Sequence, residues 1–291
     1  MPAPHPFRMR GAALVILALI LAGCGATPRA DTTATNPEPP RVVSVATASD
    51  ARAVNVVTVG GRSLTAAGVD AADLVIVPRD ERGVAALVRR HPNVHFVLVG
   101  RSYKEASGAN VAGILFREDE AAYLAGVVAG LVTTREGAVG ADVAWVGGRR
   151  KPIADAFERG VRTVDGRAAV IRAWTENDAT HCKEAALSAI GRGASVILAG
   201  RGRCAEGALA GAEDQNAVGL TLGDFERPSI AVDQFVRDAR EGLYHGGENV
   251  IFGTKTGAVG VGRLDSRVPP DAVAEARMVE QELAAGLRSA G

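Results

Sequence analysis

The sequence has few aromatic residues, little lysine and no excess charge. Aromatic side chains make up only 4% of its 291 residues, and lysine supplies four of its 33 basic residues. Basic and acidic residues balance to a net charge of zero, which removes the electrostatic case for nucleic acid as a partner. Hydrophobic residues nevertheless make up 47% of the chain, enough for one large domain or two smaller ones.

The motifs of common enzyme classes are also missing. No serine or cysteine lies in a G-x-S-x-G turn, and no G-x-x-x-x-G-K-[ST] loop is present. Residues 200–202 (GRG) begin like a dinucleotide-binding loop, but the following glycine spacing fails and Cys204 lies where the helix opens. His181 lacks partners at metal-site spacing, and the acidic run 118–120 suits a helix N-terminus. We therefore expect no catalysis, no metal and no cofactor.

The first 24 residues have the pattern of an export signal. A basic segment precedes an unbroken apolar run at 12–21, which is too short to span a bilayer. The run ends in Leu-Ala-Gly-Cys, which resembles the lipobox of bacterial lipoproteins and implies cleavage before Cys24 and acylation, for example with palmitate. An ordinary signal peptide followed by an incidental cysteine is the alternative. We expect a signal peptide at 1–23, a disordered tether at 24–40 and a lipid anchor to the cell membrane, on its extracytoplasmic face.

Apolar runs of strand length alternate with helical stretches after the tether. In the central stretch, a strand at 111–116 precedes a helix that begins at the acidic run, and a second strand follows, which is the unit of a parallel sheet. The predicted strands are 41–45, 54–59, 73–77, 94–100, 111–116, 141–146, 168–174, 195–199, 217–222, 248–252 and 258–261. The predicted helices are 81–90, 118–131, 153–164, 180–190, 204–212, 229–243 and 271–287.

This alternation predicts the α/β class, with two lobes that each contain a mostly parallel sheet flanked by helices. We expect a first lobe at 41–140, a second at 141–247 and a C-terminal segment, 248–291, that crosses between them. Ligands of open α/β sheets bind beyond the carboxyl ends of the strands. The loops to search for function are therefore 78–80, 100–102, 147–149, 200–202 and 223–225.

Two cysteines remain in the exported part of the chain. Cys182 and Cys204 each lie at the start of a predicted helix, and the two helices flank one strand. Such starts share one edge of the sheet, and disulfides persist outside the cytoplasm, so a bridge between them is plausible. Two free buried thiols are the alternative.

Three segments carry a resemblance to a known family. They are FREDEAAYLAGVVAGLVT, VAWVGG and RKPIADAFERGV, and they resemble the basic membrane protein family. The matching residues are Phe116, Arg117, Glu118, Tyr123, Leu124, Ala125, Gly126, Gly147, Gly148, Phe157 and Gly160. The resemblance implies a type I periplasmic-binding-protein fold. It also implies a lipoprotein that binds purine nucleosides and delivers them to an ABC permease.

Other parts of the chain differ from the family pattern. The family opens with a strand, a polar loop that carries an aromatic residue and a long helix, whereas residues 46–53 here lead directly to another strand. The first βα unit is therefore expected to be missing, so that the first lobe is truncated at its N-terminus. Thr221 occupies the position of a family aspartate, and Asp224 follows three residues later.

Five residues are the candidate ligand contacts. The run 253–260 is similar to a family turn whose lysine approaches the ligand, which implies that role for Lys255. Asp224 and Thr221 follow the strand at 217–222, and Arg201 and Arg79 lie in strand-end loops that could favour an anion. The alternatives are a solvated Lys255, an Asp224 that caps the helix starting near residue 229 or holds a turn, and solvated arginines. Trp145 could stack on a flat ligand or pack in the core.

Two functions from different classes are consistent with these observations. The first is a lipid-anchored solute-binding protein that supplies a nucleoside-like ligand to an ABC permease, with a hinge motion that closes the lobes. The second is a sensor or structural envelope lipoprotein that keeps the fold but has lost the nucleoside pocket. The missing βα unit favours the second.

Overall fold

The computed structural model describes residue 69, residues 72–79, 83–135 and 142–291, and the backbone of two strands at 42–44 and 55–58. The expected signal peptide, the expected acylation site at Cys24 and the expected tether lie outside the described residues. None of the helices in the described part of the chain is long and apolar enough to cross a membrane.

Helices and strands alternate along the described chain. The strands are β1 (Val42–Ser44), β2 (Asn55–Thr58), β3 (Leu74–Val77), β4 (His95–Val99), β5 (Val111–Phe116), β6 (Asp142–Gly147), β7 (Val170–Trp174), β8 (Ala194–Ala199), β9 (Val218–Thr221) and β10 (Asn249–Phe252). The α-helices are α1 (Val84–Arg90), α2 (Glu118–Arg135), α3 (Lys151–Val164), α4 (Ala179–Gly191), α5 (Arg203–Asp214), α6 (Pro228–Arg240) and α7 (Pro270–Ala284). Short 3-10 turns occupy Tyr103–Glu105, Leu222–Phe225 and Thr254–Thr256.

The described strands form two sheets. The first has the order β1-β2-β3-β4-β5-β10 and the second the order β7-β6-β8-β9. Every pairing is parallel except β1 with β2, which is antiparallel. A parallel pair needs a crossover connection of about a dozen residues or more, and the shorter connection 45–54 therefore agrees with an antiparallel pair. The predicted α/β class with two mostly parallel sheets is confirmed.

The chain passes between the two sheets at α2. This helix follows β5 of the first sheet but packs against α3, β6 and β8 of the second. Every residue from Ala121 to Thr133 is buried, as expected for a helix that is apolar on all sides. The chain returns at α6, which packs on β3 and β4, and α7 then packs against α2. The lobe boundaries at 140 and 247 stay predictions. Because α2 packs on the second sheet, the chain first crosses from one sheet to the other near residue 117.

Two glycines of the family pattern allow α2 and α3 to touch backbone to backbone. A Cβ atom on Gly126 would lie 2.1 Å from the carbonyl oxygen of Phe157, and one on Gly160 would lie 2.1 Å from that of Tyr123. No side chain fits at that separation, so the close approach requires glycine on both helices. The motif residues therefore have a packing role near the centre of the fold.

The predicted strand at 258–261 is wrong. Only Val259 forms a bridge, an isolated antiparallel contact with Glu226. The amides of Gly260 and Gly262 instead donate to the carbonyls of Phe225 and Asp224. The segment therefore lies alongside the 3-10 turn at Leu222–Phe225 and is hydrogen-bonded to it. Lys255 consequently lies in a 3-10 turn that follows β10, rather than in a turn between two strands.

The two cysteines of the described chain are bonded to each other. The Cys182 and Cys204 Cα atoms are 5.2 Å apart, with an S–S distance of 2.04 Å. Cys182 is in the first turn of α4 and Cys204 in the first turn of α5, on either side of β8. The predicted bridge is confirmed, because both helices begin at the same edge of the second sheet.

Candidate ligand cleft

Five charged residues meet where the two sheets face each other, and we call them the cleft cluster. Arg79 follows β3 and Glu118 follows β5, both of the first sheet. Arg150 follows β6, Arg201 follows β8 and Glu226 follows β9, all of the second sheet. Each lies beyond the carboxyl end of a parallel strand, which is where ligands of open α/β sheets bind.

Ion pairs within the cleft cluster link the two sheets. Arg201 Nε donates to Glu118 Oε1 at 2.8 Å, and its Nη1 donates to Glu226 Oε2 at 3.2 Å. Arg150 also pairs with Glu118. Arg79 Nη2 lies 3.4 Å from Glu226 Oε2, and its Nη1 lies 4.0 Å from Glu118 Oε1. Glu118 and Glu226 therefore each contact arginines that follow strands of both sheets.

The two carboxylates of the cluster are largely withdrawn from solvent. The Glu226 side chain is 5% exposed and that of Glu118 is 19% exposed. Burial acts to raise the pKa of Glu118, but the hydrogen bond from Arg150 and the charges of Arg201 and Arg150 outweigh it, so the pKa is lowered. Three guanidinium groups against two carboxylates leave a residual positive charge.

A small cavity lies beside the cluster, on the second sheet. Its volume is about 210 Å³, and Trp145, Arg150, Asn177, Arg201, Cys204 and Leu222 contribute to its lining. Asn177 Oδ1 accepts a hydrogen bond from the Cys204 amide at 3.0 Å, so the disulfide and the loop before α4 shape one wall. Trp145 is 1% exposed and belongs to the main hydrophobic core, which agrees with the packing role given as its alternative to stacking on a ligand.

Lys255 lies apart from the cleft cluster. It is exposed and borders a separate open depression of about 670 Å³, which shares no lining residue with the small cavity. Arg117, Glu120 and Arg288 also border it, and none of its described lining residues is aromatic. The structure therefore does not bring Lys255 together with Arg201 and Arg79, and its ligand role stays a prediction.

Asp224 and Thr221 bond to each other. The Asp224 carboxylate accepts a hydrogen bond from the Thr221 amide at 2.7 Å, within the 3-10 turn at Leu222–Phe225. Burial raises the pKa of Asp224, against the hydrogen bonds from Thr221, which lower it. Asp224 therefore holds a turn, which is one of its alternatives to ligand binding, and ligand contacts by the two residues stay predictions.

Three members of the cleft cluster are not among the residues that the sequence predicts as ligand contacts. The acidic run that contains Glu118 indicates a helix N-terminus, and no sequence pattern assigns a role to Arg150 or Glu226. A signal was present, because each residue follows shortly after the carboxyl end of a strand. Their pairing partners come from distant parts of the chain, and no sequence spacing reveals them. In the described part of the chain, no group of His, Cys, Asp and Glu residues could hold a metal ion.

Comparison with known proteins places the chain in a family. A family model for Bmp, described as ABC transporter substrate-binding protein PnrA-like, matches residues 68–226, more than half of the chain. The chain is also similar to the CD4+ T-cell-stimulating antigen of Listeria monocytogenes, with 25% identity over 234 residues, 68% of this chain. The matched region spans 64% of that relative, just under two thirds of its length.

Solved structures share the fold. An ABC transporter solute-binding protein from Conexibacter woesei has 19% identity and a TM-score of 0.51 over 76% of this chain and 79% of its own. A transcriptional activator of the comK gene from Bacillus halodurans has 16% identity and a TM-score of 0.57 over 75% of this chain and 81% of its own. The suspected resemblance is confirmed, and the chain belongs to the Bmp family of PnrA-like ABC transporter substrate-binding proteins.

Proposed function

We propose that the protein is an extracytoplasmic solute-binding protein that captures a small polar solute, nucleoside-like by family, for uptake through an ABC permease. The observation that carries this proposal is the meeting of Arg79 and Glu118 of one sheet with Arg201 and Glu226 of the other. Charged groups that converge from two sheets at strand ends form the kind of polar cleft that a solute can enter.

Opening and closing of this cleft follow from the same contacts. Arg201 pairs with Glu118 across the two sheets, so a solute enters only when these contacts part. Closure over a bound solute would restore them and remove the solute from water, which is the hinge motion of binding proteins with two lobes. A permease would then distinguish closed from open protein.

A lipid on Cys24 would hold the protein at the extracytoplasmic face of the membrane, close to its permease. Support comes from the apolar run before Cys24 and the polar tether after it. Metabolic labelling with a fatty acid tests this, since label should enter the chain and disappear in Cys24→Ser. Label in both forms, or in neither, contradicts the anchor.

Calorimetry with adenosine, guanosine and inosine tests the nucleoside assignment. We expect saturable binding, and we expect Lys255→Ala to weaken it if this lysine contacts the ligand. Lys104→Ala is the matched control, because Lys104 is also exposed but lies in the 3-10 turn after β4. Uptake of the bound nucleoside by cells that lack the protein tests transport, and unchanged uptake contradicts the transport role.

The alternative, a sensor or structural envelope lipoprotein that has lost the nucleoside pocket, retains one supporting observation. The depression beside Lys255 has no aromatic residue in its described lining, so no ring is available there for a base to stack on. Absence of calorimetric heat at millimolar nucleoside, together with unchanged uptake, would favour this alternative.

A further inference from the structure

Trp145, which lines the small cavity, carries a polar group that the fold leaves unsatisfied. The indole Nε1–H of Trp145 is buried and has no hydrogen-bond partner among the described residues. Trp145 itself is 1% exposed and lines the cavity of about 210 Å³. A buried donor without a partner destabilises the empty site, so a ligand that accepts this hydrogen bond gains affinity.

The other polar side chains that line the cavity also offer donors. Arg150 and Arg201 line it, and Asn177 Oδ1 already accepts a hydrogen bond from the Cys204 amide. The acid that faces these arginines is Glu118, which pairs with both of them, while Glu226 pairs with Arg201. The cleft cluster as a whole keeps one positive charge more than it has negative charges, so an anion would balance it.

The size of the cavity limits what it can hold. Pockets for drug-sized ligands measure roughly 300–1,000 Å³, and this cavity, at about 210 Å³, is smaller. It has room for a compact group rather than for a whole nucleoside. Gly148 and Asn177 in its lining are exposed, so the cavity is reached from solvent and a larger solute could extend outward.

We propose that this cavity is a subsite for a compact anionic group of the solute, a carboxylate or a phosphate. Its oxygens accept hydrogen bonds from Trp145 Nε1–H and from the guanidinium groups of Arg150 and Arg201. The proposal rests on the proposed function, because it adds the charge of the solute to the same cleft. It predicts that an acidic solute binds in preference to a neutral nucleoside.

Tryptophan fluorescence of the full chain, purified in detergent, tests the proposal. Trp145 and Trp174 are its two tryptophans, so Trp174→Phe leaves Trp145 as the single reporter. The probes are adenosine 5′-monophosphate, succinate and adenosine, titrated at constant ionic strength. We expect a saturable change with at least one anion and binding of adenosine that is weaker by about tenfold or more. A response to the monophosphate alone identifies a phosphate, and a response to succinate alone identifies a carboxylate.

Calorimetry on variants assigns the contacts. Trp145→Phe keeps a ring but removes the donor, and Arg150→Gln removes a half-exposed charge. Each should weaken binding of the anion by about tenfold. Arg149→Gln is the matched control, because the Arg149 guanidinium lies over the Trp174 ring at 5.8 Å and does not line the cavity. It should leave the affinity unchanged.

Two outcomes would overturn the subsite. One is the absence of a saturable change with either anion at millimolar concentration. The other is equal affinity for the anion in the parent chain, Trp145→Phe and Arg150→Gln. If adenosine binds while the anions do not, the subsite fails and the proposed function stands. If uptake is independent of the protein, the proposed function fails, whatever the anions do.

Discussion

Arg201 Nε lies 2.8 Å from Glu118 Oε1, although the two residues follow strands of different sheets. Glu118 begins α2, the buried helix that carries the chain from the first sheet to the second. Arg201 precedes α5 in the loop after β8, the strand that lies between the two bonded cysteines. One ion pair thus joins the start of the central helix to the disulfide-bonded edge of the second sheet.

Removal of Arg201 should destabilise the protein measurably. Its side chain is 21% exposed and contacts Glu118 and Glu226, of which Glu226 is only 5% exposed. Arg201→Ala should lower the free energy of unfolding by about 1.5–3 kcal/mol, because buried carboxylates lose charged hydrogen bonds. Arg162→Ala is the control, since its ion pair with Glu158 is on a surface where Arg162 is 66% exposed. The control should cost less than about 1 kcal/mol in urea denaturation, and equal losses in the two variants contradict the prediction.

Acid should loosen the contacts of Glu118. Burial raises the folded-state pKa of Glu118, but the hydrogen bond from Arg150 and the charges of Arg201 and Arg150 outweigh it, so the pKa lies below the ordinary value of a glutamate. A lowered pKa gives stability that is present above the unfolded value and is lost as pH falls through the folded value. The parent chain should therefore lose stability more steeply than Glu118→Gln below about pH 5.

Urea denaturation at a series of pH values measures this difference. At neutral pH, Glu118→Gln should be the less stable form, and the two curves should converge as acid protonates Glu118. A difference between them that is independent of pH would show that the carboxylate charge has no part in stability.

The contact between α2 and α3 predicts a strict requirement for glycine at residue 160. A Cβ there would lie 2.1 Å from the Tyr123 carbonyl oxygen, and backbone cannot move aside as a flexible side chain can. Gly160→Ala should therefore lower the free energy of unfolding by about 1–3 kcal/mol, despite the higher helix propensity of alanine. Gly166→Ala, where a Cβ meets nothing within 4 Å, is the control and should change little.

The Cys182–Cys204 disulfide should stabilise the protein because it closes a loop in the unfolded chain and so restricts its conformations. The two cysteines are separated by 22 positions, and a loop of that length predicts about 3 kcal/mol from restriction of the unfolded chain. Reductant should lower the urea midpoint of the parent chain and leave that of Cys182→Ala/Cys204→Ala unchanged. A midpoint of the parent chain that is insensitive to a reductant shown to release both thiols would contradict the prediction.

The fold could be predicted from the sequence because its signals are local. Short stretches of sequence are enough to recognise the apolar runs at β5 and β6 and the acidic start of α2. The alternation of strands with helices then determines the fold class. The segment 258–261 shows the limit of this approach. It has the apolar character of a strand, but the amide of Gly260 donates to the carbonyl of Phe225, more than thirty positions away in the chain, and that of Val261 donates to the Glu280 side chain.

The candidate site was predictable only in part, for a related reason. Arg79 and Arg201 were found because they follow strands, but their carboxylate partners Glu118 and Glu226 were not assigned to the cleft. Lys255 was carried over from a family turn, and the structure places it on a separate depression. Spacing along the chain reports which residues share a helix face or a strand end, and it carries no information on which strand ends face each other.

By itself, the sequence determined the α/β alternation and the pair of helix starts that hold Cys182 and Cys204. These depend on backbone conformation and local period, which neighbouring residues impose. Only the tertiary structure decided that Glu118 and Glu226 hold Arg79, Arg150 and Arg201, and that Trp145 leaves its indole donor free beside them. Such contacts form between segments far apart in the chain, because packing of the two sheets, and not sequence separation, sets the distance between charges.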